Sequence, residues 1–465
     1  MYNLMQALID EKINFSLFTK QIIEEISEQR LKKLLRHVLT HSPFYKSYYL
    51  NVGVTLKHIN EVTIKDLPFV SKSLLMENFD SIICDQDITH KSIQQYFSNG
   101  FNYKEWYKNT YKVLKTSGTT GKPGVFIYSK RDCDTLKSVL INRATKIKPS
   151  IGKKIKIASI FDTDDFHAGI SMSGTAPELF YKIFPIAINQ PISNTIKMLN
   201  DIQPDILGGY ASGVYMVAIE QLKGNLKIRP LEITCTGELL TNSMRTTIFK
   251  AFGKFPTNVY AASESLCIGQ SCENGNIHIN EDWHIIESPK DLKYIDDNYL
   301  NEQCFYLTNL FNYTFPLIRY KMEDRVELSS ENCSCGSPFH HLNLLEGRTE
   351  DVLTFETNGS SEILFHSIIV KLLIPGIERF QIVQYDMNKL LVNVCVNNKV
   401  NKNDIYQKVN DEMNEILTFK GLKNFVTFSI QFSDFISNDV RTGKFRYIIP
   451  YQKYITTKKE HAILV

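Results

Sequence analysis

Between residues 125 and 260, short apolar runs alternate with amphipathic ones, and this alternation limits the fold more than any other feature of the 465-residue chain. Val125–Tyr128, Lys156–Phe161, Asp205–Gly208, Leu231–Cys235 and Asn258–Tyr260 read as strands. DTLKSVLINRATKI, SNTIKMLNDI, VYMVAIEQLKG and residues 241–252 lie between them with helical spacing. Strand and helix in turn predict an α/β sheet with helices on its faces. Ahead of it, Leu17, Ile22, Ile26, Leu34, Leu35 and Val38 predict one amphipathic helix over 17–40, ended at HSPFY by Pro43. After about residue 270 strands dominate. GRTEDVLTF at 347–355 reads as a hinge, and QIVQYD, KLLVNVCV, a helix near 403–417 and FVTFSIQF follow it. The expected architecture is therefore a large N-terminal α/β domain of stacked sheets and helices, residues 1–347, and a small mobile α+β C-terminal domain, residues 348–465.

Composition narrows the function classes. With 43% hydrophobic residues the chain is not disordered, and a net charge of +3 with scattered cations gives no field for nucleic acid. No apolar run is long enough to cross a bilayer, and the acids in MYNLMQALIDEKINF argue against a signal peptide. Nine cysteines, an odd number, do not read as a disulfide framework, so a reducing cytoplasm is the default location.

LKTSGTTGKPG at 114–124 carries the first chemistry. Its glycines deny a stable helix and Pro123 stops one. Backbone N–H groups, hydroxyls and a lysine together favour an anion, most often phosphate. The spacing is not that of a G-x-x-x-x-G-K-[ST] loop, because Pro123 stands where a hydroxyl would meet magnesium. On composition alone a solvated surface turn remains open.

A second constellation is metal-like. Cys272 and His278 come from QSCENGNIHINED, and Cys333 and Cys335 from ENCSCGSP. Three thiolates and one imidazole would close a tetrahedral structural zinc site with no position left for water. The alternative is four unrelated small side chains, since cysteine is often simply buried.

The string TSGTTGKP resembles the phosphate-loop signature of the adenylate-forming ligase superfamily. That resemblance implies that Ser117, Thr119, Thr120 and Lys122 line the path of the ATP phosphates. NVYAASE at 258–264 is similar to the superfamily's Tyr-x-x-[ST]-Glu segment. It implies Tyr260 on adenine, Ser263 near phosphate and Glu264 on magnesium. CTGELL at 235–240 resembles the adenine loop and points to Gly237 and Glu238. Asp324 falls where the family holds the ribose hydroxyls. GRTED resembles the hinge motif, with Arg348 on the ribose and Glu350 at the pivot. RTGKFR resembles the C-terminal lysine motif and gives Lys444. HSPFYKSYY, LPFVSKSLL, PLIRY and GIERFQIVQ resemble the phenylacetate–CoA ligase branch and its relatives in capsule and secondary-metabolite pathways. Two departures stand out. Met322-Glu323-Asp324 replaces the branch's Thr-Gly-Asp, and Ala261 replaces a glycine. FDTDDFHAGIS at 161–171 and GGYASG at 208–213 match regions that border the acyl pocket in the family. Taken alone, His167 reads equally as a structural histidine, and the acids as a helix N-terminus.

The resemblance implies an AMP-forming acid–thiol ligase. It would spend ATP, with magnesium, to turn a carboxylic acid into an acyl-adenylate and pass the acyl group to CoA. Aryl and arylacetic acids are the expected substrates. A carrier-protein thiol or an amine is the alternative acceptor, and a non-catalytic nucleotide-binding protein is the rival class. A homodimer is left open.

Overall fold

A computed structural model of the chain describes residues 4–116, 124–148, 150, 152–188, 190–238, 240, 242–288, 305–322, 324–346, 353–358, 361–364, 372, 374, 376–396, 400–436 and 448–451. The described residues form two compact units. One takes residues up to 116, 124–186 and 202–346; the other takes 187–201 and residues from 353 onward.

The first unit holds strands β1 (Tyr111–Lys115), β2 (Val125–Ser129), β3 (Ile155–Phe161), β4 (Tyr181–Ala187), β5 (Ile206–Tyr210), β6 (Glu232–Thr236), β7 (Thr257–Tyr260), β8 (Gly269–Ser271), β9 (Ile277–Ile279), β10 (His284–Glu287), β11 (Phe305–Asn309), β12 (Tyr320–Met322), β13 (Arg325–Leu328) and β14 (Leu342–Glu346). Its main sheet has seven strands in the order β4-β3-β5-β6-β7-β8-β9. The β3–β5, β5–β6 and β6–β7 pairs are parallel, and β7–β8 and β8–β9 are antiparallel. Four of the five strands expected over 125–260 form the α/β sheet, as its parallel core; the fifth, Val125–Tyr128, lies outside it, paired antiparallel with β1. Helices Ala211–Leu222 and Asn242–Phe252 form two of the crossovers. Gly209 is obligatory there. Its φ is +143°, and a Cβ would sit 2.1 Å from the Ile160 carbonyl oxygen, so a side chain would push β5 off β3.

The helix expected over 17–40 is present as Lys20–His41, and a further helix, Leu4–Leu17, precedes it. Thr19 adopts an extended backbone, and its Oγ1 accepts the Ile22 N–H at 3.3 Å, an N-cap that restarts the helix. The buried stripe is Ile23, Leu31, Leu34, Leu35, Val38 and Leu39, whereas Leu17 is 61% exposed.

Three strings of the phenylacetate branch, HSPFYKSYY, LPFVSKSLL and PLIRY, meet in space, while GIERFQIVQ lies in the second unit. Tyr45 Oη donates to the Pro316 carbonyl (2.9 Å) and Tyr48 Oη to the Phe69 carbonyl (2.8 Å). Val70 N–H donates to the Arg319 carbonyl at 3.0 Å, and Lys321 N–H returns the bond at 2.9 Å. Arg319 is buried, forks onto Glu287 at 2.9 and 2.8 Å and stacks on Phe69. A guanidinium out of water needs this kind of bidentate partner.

The second unit holds β15 (Leu353–Glu356), β16 (Ser361–Leu364), β17 (Ile377–Asp386), β18 (Lys389–Val396), β19 (Thr427–Phe432) and β20 (Ile448–Ile449). Its larger sheet runs β19-β18-β17-β20. Helix Lys402–Phe419 buries Ile405, Val409, Met413 and Ile416, a stripe at helical spacing, against Phe380, Ile382, Leu390, Val392 and Val394. Within this unit Lys420 is almost fully buried. It donates to the Gln190 carbonyl at 3.1 Å and faces Glu362 at 3.6 Å, while Glu362 accepts the Ile192 N–H at 3.0 Å. Burial pushes the Lys420 ammonium down to about 8, against the attraction of Glu362.

Candidate active site and a thiol–imidazole cluster

β1 and β2 pair in an antiparallel ladder that ends at Lys115 opposite Val125. Beyond it, Thr116 N–H donates to the Gly124 carbonyl at 2.9 Å, and Gly124 N–H donates to Thr116 Oγ1 at 2.7 Å. The glycine-rich stretch 117–123 therefore leaves and returns through one closed pair. The neck is braced further. Lys115 N–H donates to the Phe166 carbonyl at 2.9 Å, and Lys115 Nζ pairs with Asp165 at 2.9 Å. Ser117, Thr119, Thr120 and Lys122 lie outside the described residues, as do Glu323, Arg348, Glu350 and Lys444.

The turn after β7 carries Ser263 and Glu264, and its hold is on backbone. Tyr128 Oη reaches the Ser263 and Glu264 carbonyls at 2.9 and 3.0 Å. Ala262 N–H donates to the Ser265 carbonyl. Ser265 is fully buried; its Oγ accepts from the Asn309 amide at 2.9 Å and lies 3.0 Å from His284 Nε2. His284 Nδ1 lies 3.2 Å from the Asn280 carbonyl, which can only accept, so Nδ1 carries the proton and Nε2 accepts the Ser265 hydroxyl. Burial pushes the imidazole down to about 4, against smaller opposing contributions from Asn280 and Asp282. Asp282 itself is buried between Arg143 (2.8 Å) and Arg30 (2.9 Å). Glu264 is 2% exposed.

Tyr260, at the end of β7, and Asp324, just past β12, come together. Tyr260 Oη donates to Asp324 Oδ2 at 3.0 Å, and both residues are buried. Gly237 has φ +74°, and a Cβ there would lie 2.8 Å from the Tyr210 ring. This glycine lets the loop after β6 pass the aromatic at the end of β5. Glu238 then accepts the Ser212 N–H at 2.8 Å, in the first turn of helix Ala211–Leu222. Phe161 packs edge-on against Tyr210 at 5.1 Å, and His167 Nε2 lies 3.5 Å from Asp162. Gly237, Glu238, Tyr260 and the Ser263–Glu264 turn thus follow the C-terminal ends of adjacent parallel strands, where open α/β sheets place their ligands.

Cys272, His278, Cys333 and Cys335 also come together, with ligand atoms all within 4.8 Å of one another. Cys272 Sγ is 3.9 Å from Cys333 Sγ, and Cys335 Sγ is 3.3 Å from His278 Nε2. His278 Nδ1 donates to the Phe339 carbonyl at 2.8 Å, which fixes the tautomer and leaves Nε2 facing the thiols. Burial opposes ionisation of Cys333, but hydrogen bonds from the Asn276 amide and from Cys335 outweigh it and bring the thiol down to about 6. The remaining described cysteines are free, and Cys133, Cys235, Cys267 and Cys395 are buried.

Sequence reasoning missed Tyr128, Ser265, His284, Asn309 and the Lys115–Asp165 brace. Ser265 adjoins a marked residue, and Lys115 and Asp165 lie inside LKTSGTTGKPG and FDTDDFHAGIS without being singled out there; Tyr128, His284 and Asn309 lie in stretches with no motif.

A parallel sheet with these loops at its C-terminal edge, joined in sequence to a small α+β unit, defines an AMP-forming ligase fold. In sequence the chain is similar to phenylacetate-coenzyme A ligases, and its fold is shared with a solved acyl-CoA ligase. It is 24% identical to Protein CapK of Staphylococcus aureus over 408 residues, 84% of this chain and 82% of that protein. It is also 24% identical to the phenylacetate-coenzyme A ligase of Thermus thermophilus over 344 residues, 72% of each chain. Among solved structures, 2-hydroxyisobutyryl-CoA ligase with 2-HIB-AMP and CoA shares the fold at a TM-score of 0.61 and 17% identity, covering 94% of this chain and 92% of that one. No protein-family model matches the sequence. Among the described residues, no helix is long and apolar enough to cross a membrane.

Proposed function

We propose that the protein activates a carboxylic acid, aryl or arylacetic, with ATP and transfers the acyl group to the thiol of CoA. The observation that carries this reading is the gathering of Gly237, Glu238, Tyr260 and the Ser263–Glu264 turn at one edge of the parallel strands. A carboxylate acylates poorly because oxide is a poor leaving group. Attack on the α-phosphorus makes an acyl-adenylate and expels pyrophosphate, and the thiol then displaces AMP. The protein's task is to position two anions and stabilise charge. Tyr260 would pack on adenine and Asp324 would take the ribose hydroxyls, using lone pairs that the Tyr260 bond leaves over. Lys444 would neutralise the carboxylate and α-phosphate during adenylation; a fixed donor of this kind contributes ~3–4 kcal/mol. Glu264 would hold magnesium, which offsets phosphate charge when bound; a buried carboxylate held by its backbone fits that role. Three sulfurs and an imidazole nitrogen of fixed tautomer fit zinc, and such a site would staple the 272–278 and 333–335 loops. The domain division expected from sequence belongs to the same proposal, with Lys444 and Glu350 on a C-terminal domain that turns between half-reactions.

The test is ATP–pyrophosphate exchange across aryl, arylacetic and short aliphatic acids, with Lys444→Ala and Glu264→Gln as controls. Exchange with one acid class, lost in both variants, is expected. Silence across the panel in protein that still binds ATP would overturn the reading. CoA thioester formation with the same acid then tests the acceptor.

A further inference from the structure

From residue 239 to residue 263 the chain contains no aspartate or glutamate, but it contains Arg245, Lys250 and Lys254. Helix Asn242–Phe252 and the turn after it display these cations around an apolar plate. Phe249 and Phe255 are 41% and 51% exposed. Their rings stack with centroids 4.2 Å apart and planes 16° from parallel. The Arg245 guanidinium lies 4.6 Å from the Phe255 ring centre, in cation–π contact. Lys250 and Lys254 are exposed, and none of the three cations forms an ion pair with a described residue.

Two adjoining phenylalanines left half in water forgo burial that each could have used for stability. The fold has instead spent one on stacking the other and set a guanidinium over the pair. Aromatic residues and arginine are the types enriched at the centres of protein interfaces. The charged side chains of the 239–263 stretch are all cations, which favours an anionic partner over it. Nucleic acid fits poorly, because the rings stack on each other and leave no slot for a base, and three cations make a short phosphate track.

We propose that this face docks an acidic protein surface: a helix that sets an apolar side chain on the Phe249–Phe255 plate and carboxylates opposite Arg245, Lys250 and Lys254. The proposal is independent of which acid or acceptor the enzyme uses.

The test is fluorescence anisotropy of the full chain with a labelled helical peptide that bears glutamates along one face and leucines at i and i+4. Saturable binding is expected, weakening several-fold between about 50 and 200 mM salt. Lys250→Glu with Lys254→Glu should weaken it roughly tenfold or more, and Phe255→Ser, which changes no charge, by a similar factor. Both variants should keep the far-UV spectrum and pyrophosphate exchange of the parent. The same peptide with glutamine for glutamate should not bind. Absence of binding, binding that the variants leave unchanged, or equal binding of a single-stranded oligonucleotide or of anionic lipid vesicles would overturn the proposal.

Discussion

His284 makes the Glu264 turn sensitive to acid, and the size of the effect can be worked out. The imidazole is fully buried, donates through Nδ1 and accepts the Ser265 hydroxyl at Nε2. Its pKa falls from an ordinary 6.5 to about 4, chiefly through burial. A base whose folded pKa is depressed supports the folded state fully above its unfolded pKa. That support is lost as pH falls through the folded one. A gap of about 2.5 units corresponds to ~3 kcal/mol in all, of which ~2 kcal/mol is gone by about pH 5. The perturbation is His284→Gln, which can still accept from Ser265 but cannot ionise. Urea denaturation of both proteins from pH 7 to pH 4 gives a difference curve in which other titrating groups cancel. The parent should lose ~2 kcal/mol more than the variant between about pH 6.5 and pH 5. Its pyrophosphate exchange should hold through that window and fall only as pH approaches about 4, where the folded-state imidazole gains its proton and can no longer accept the Ser265 hydroxyl. Parallel stability curves would refute the assignment of the buried neutral imidazole. A difference in stability with no difference in exchange would refute its link to Glu264.

Tyr260→Phe removes the bond to Asp324 but keeps the ring; we expect a stability loss of ~1–2 kcal/mol by thermal melting and little change in the KM for ATP, whereas Tyr260→Ala should raise that KM roughly tenfold. On the zinc reading, the purified protein should hold about one zinc per chain by elemental analysis, and Cys335→Ser should lose the metal and melt several degrees lower. Lys420→Met removes the ammonium that faces Glu362 and should cost ~3–5 kcal/mol in urea denaturation, part of it recovered by adding Glu362→Gln.

The parallel core was legible because its signals are periodic and local. Each of the five strands expected between 125 and 260 lies within one or two residues of an observed one, although the first of them, β2, pairs antiparallel with β1 outside the core. Strand β4 escaped because YKIFPIA neither alternates nor forms a pure apolar run; its burial is mixed, as at the edge of a sheet. The helix expected over 17–40 is observed over Lys20–His41, and its start was misplaced for a different reason. Apolar spacing continues across Phe18 and Thr19, and only the cap at Thr19 shows where one helix stops and the next starts. A capping threonine inside an amphipathic pattern cannot be told from a tolerated one by periodicity alone.

The site divides along the same line. Residues that would touch ligand announce themselves, because contact with phosphate, adenine or metal restricts the residue type at a fixed spacing. Residues that hold them do so through single hydrogen bonds to backbone, and many side chains can make such a bond. Tyr128 grips two carbonyls of the Glu264 turn from a strand that is otherwise an ordinary apolar run. Asn309 and His284 reach Ser265 from β11 and β10, 44 and 19 residues away in sequence. None of the three carries charge into the site; a neutral scaffold fixes the turn without adding a field that would compete for phosphate or cation. Charge is kept for the buried Glu264 and for Asp324, whose carboxylate Tyr260 already orients. On this reasoning the turn is set before ligand arrives, and binding energy need not be spent on ordering it.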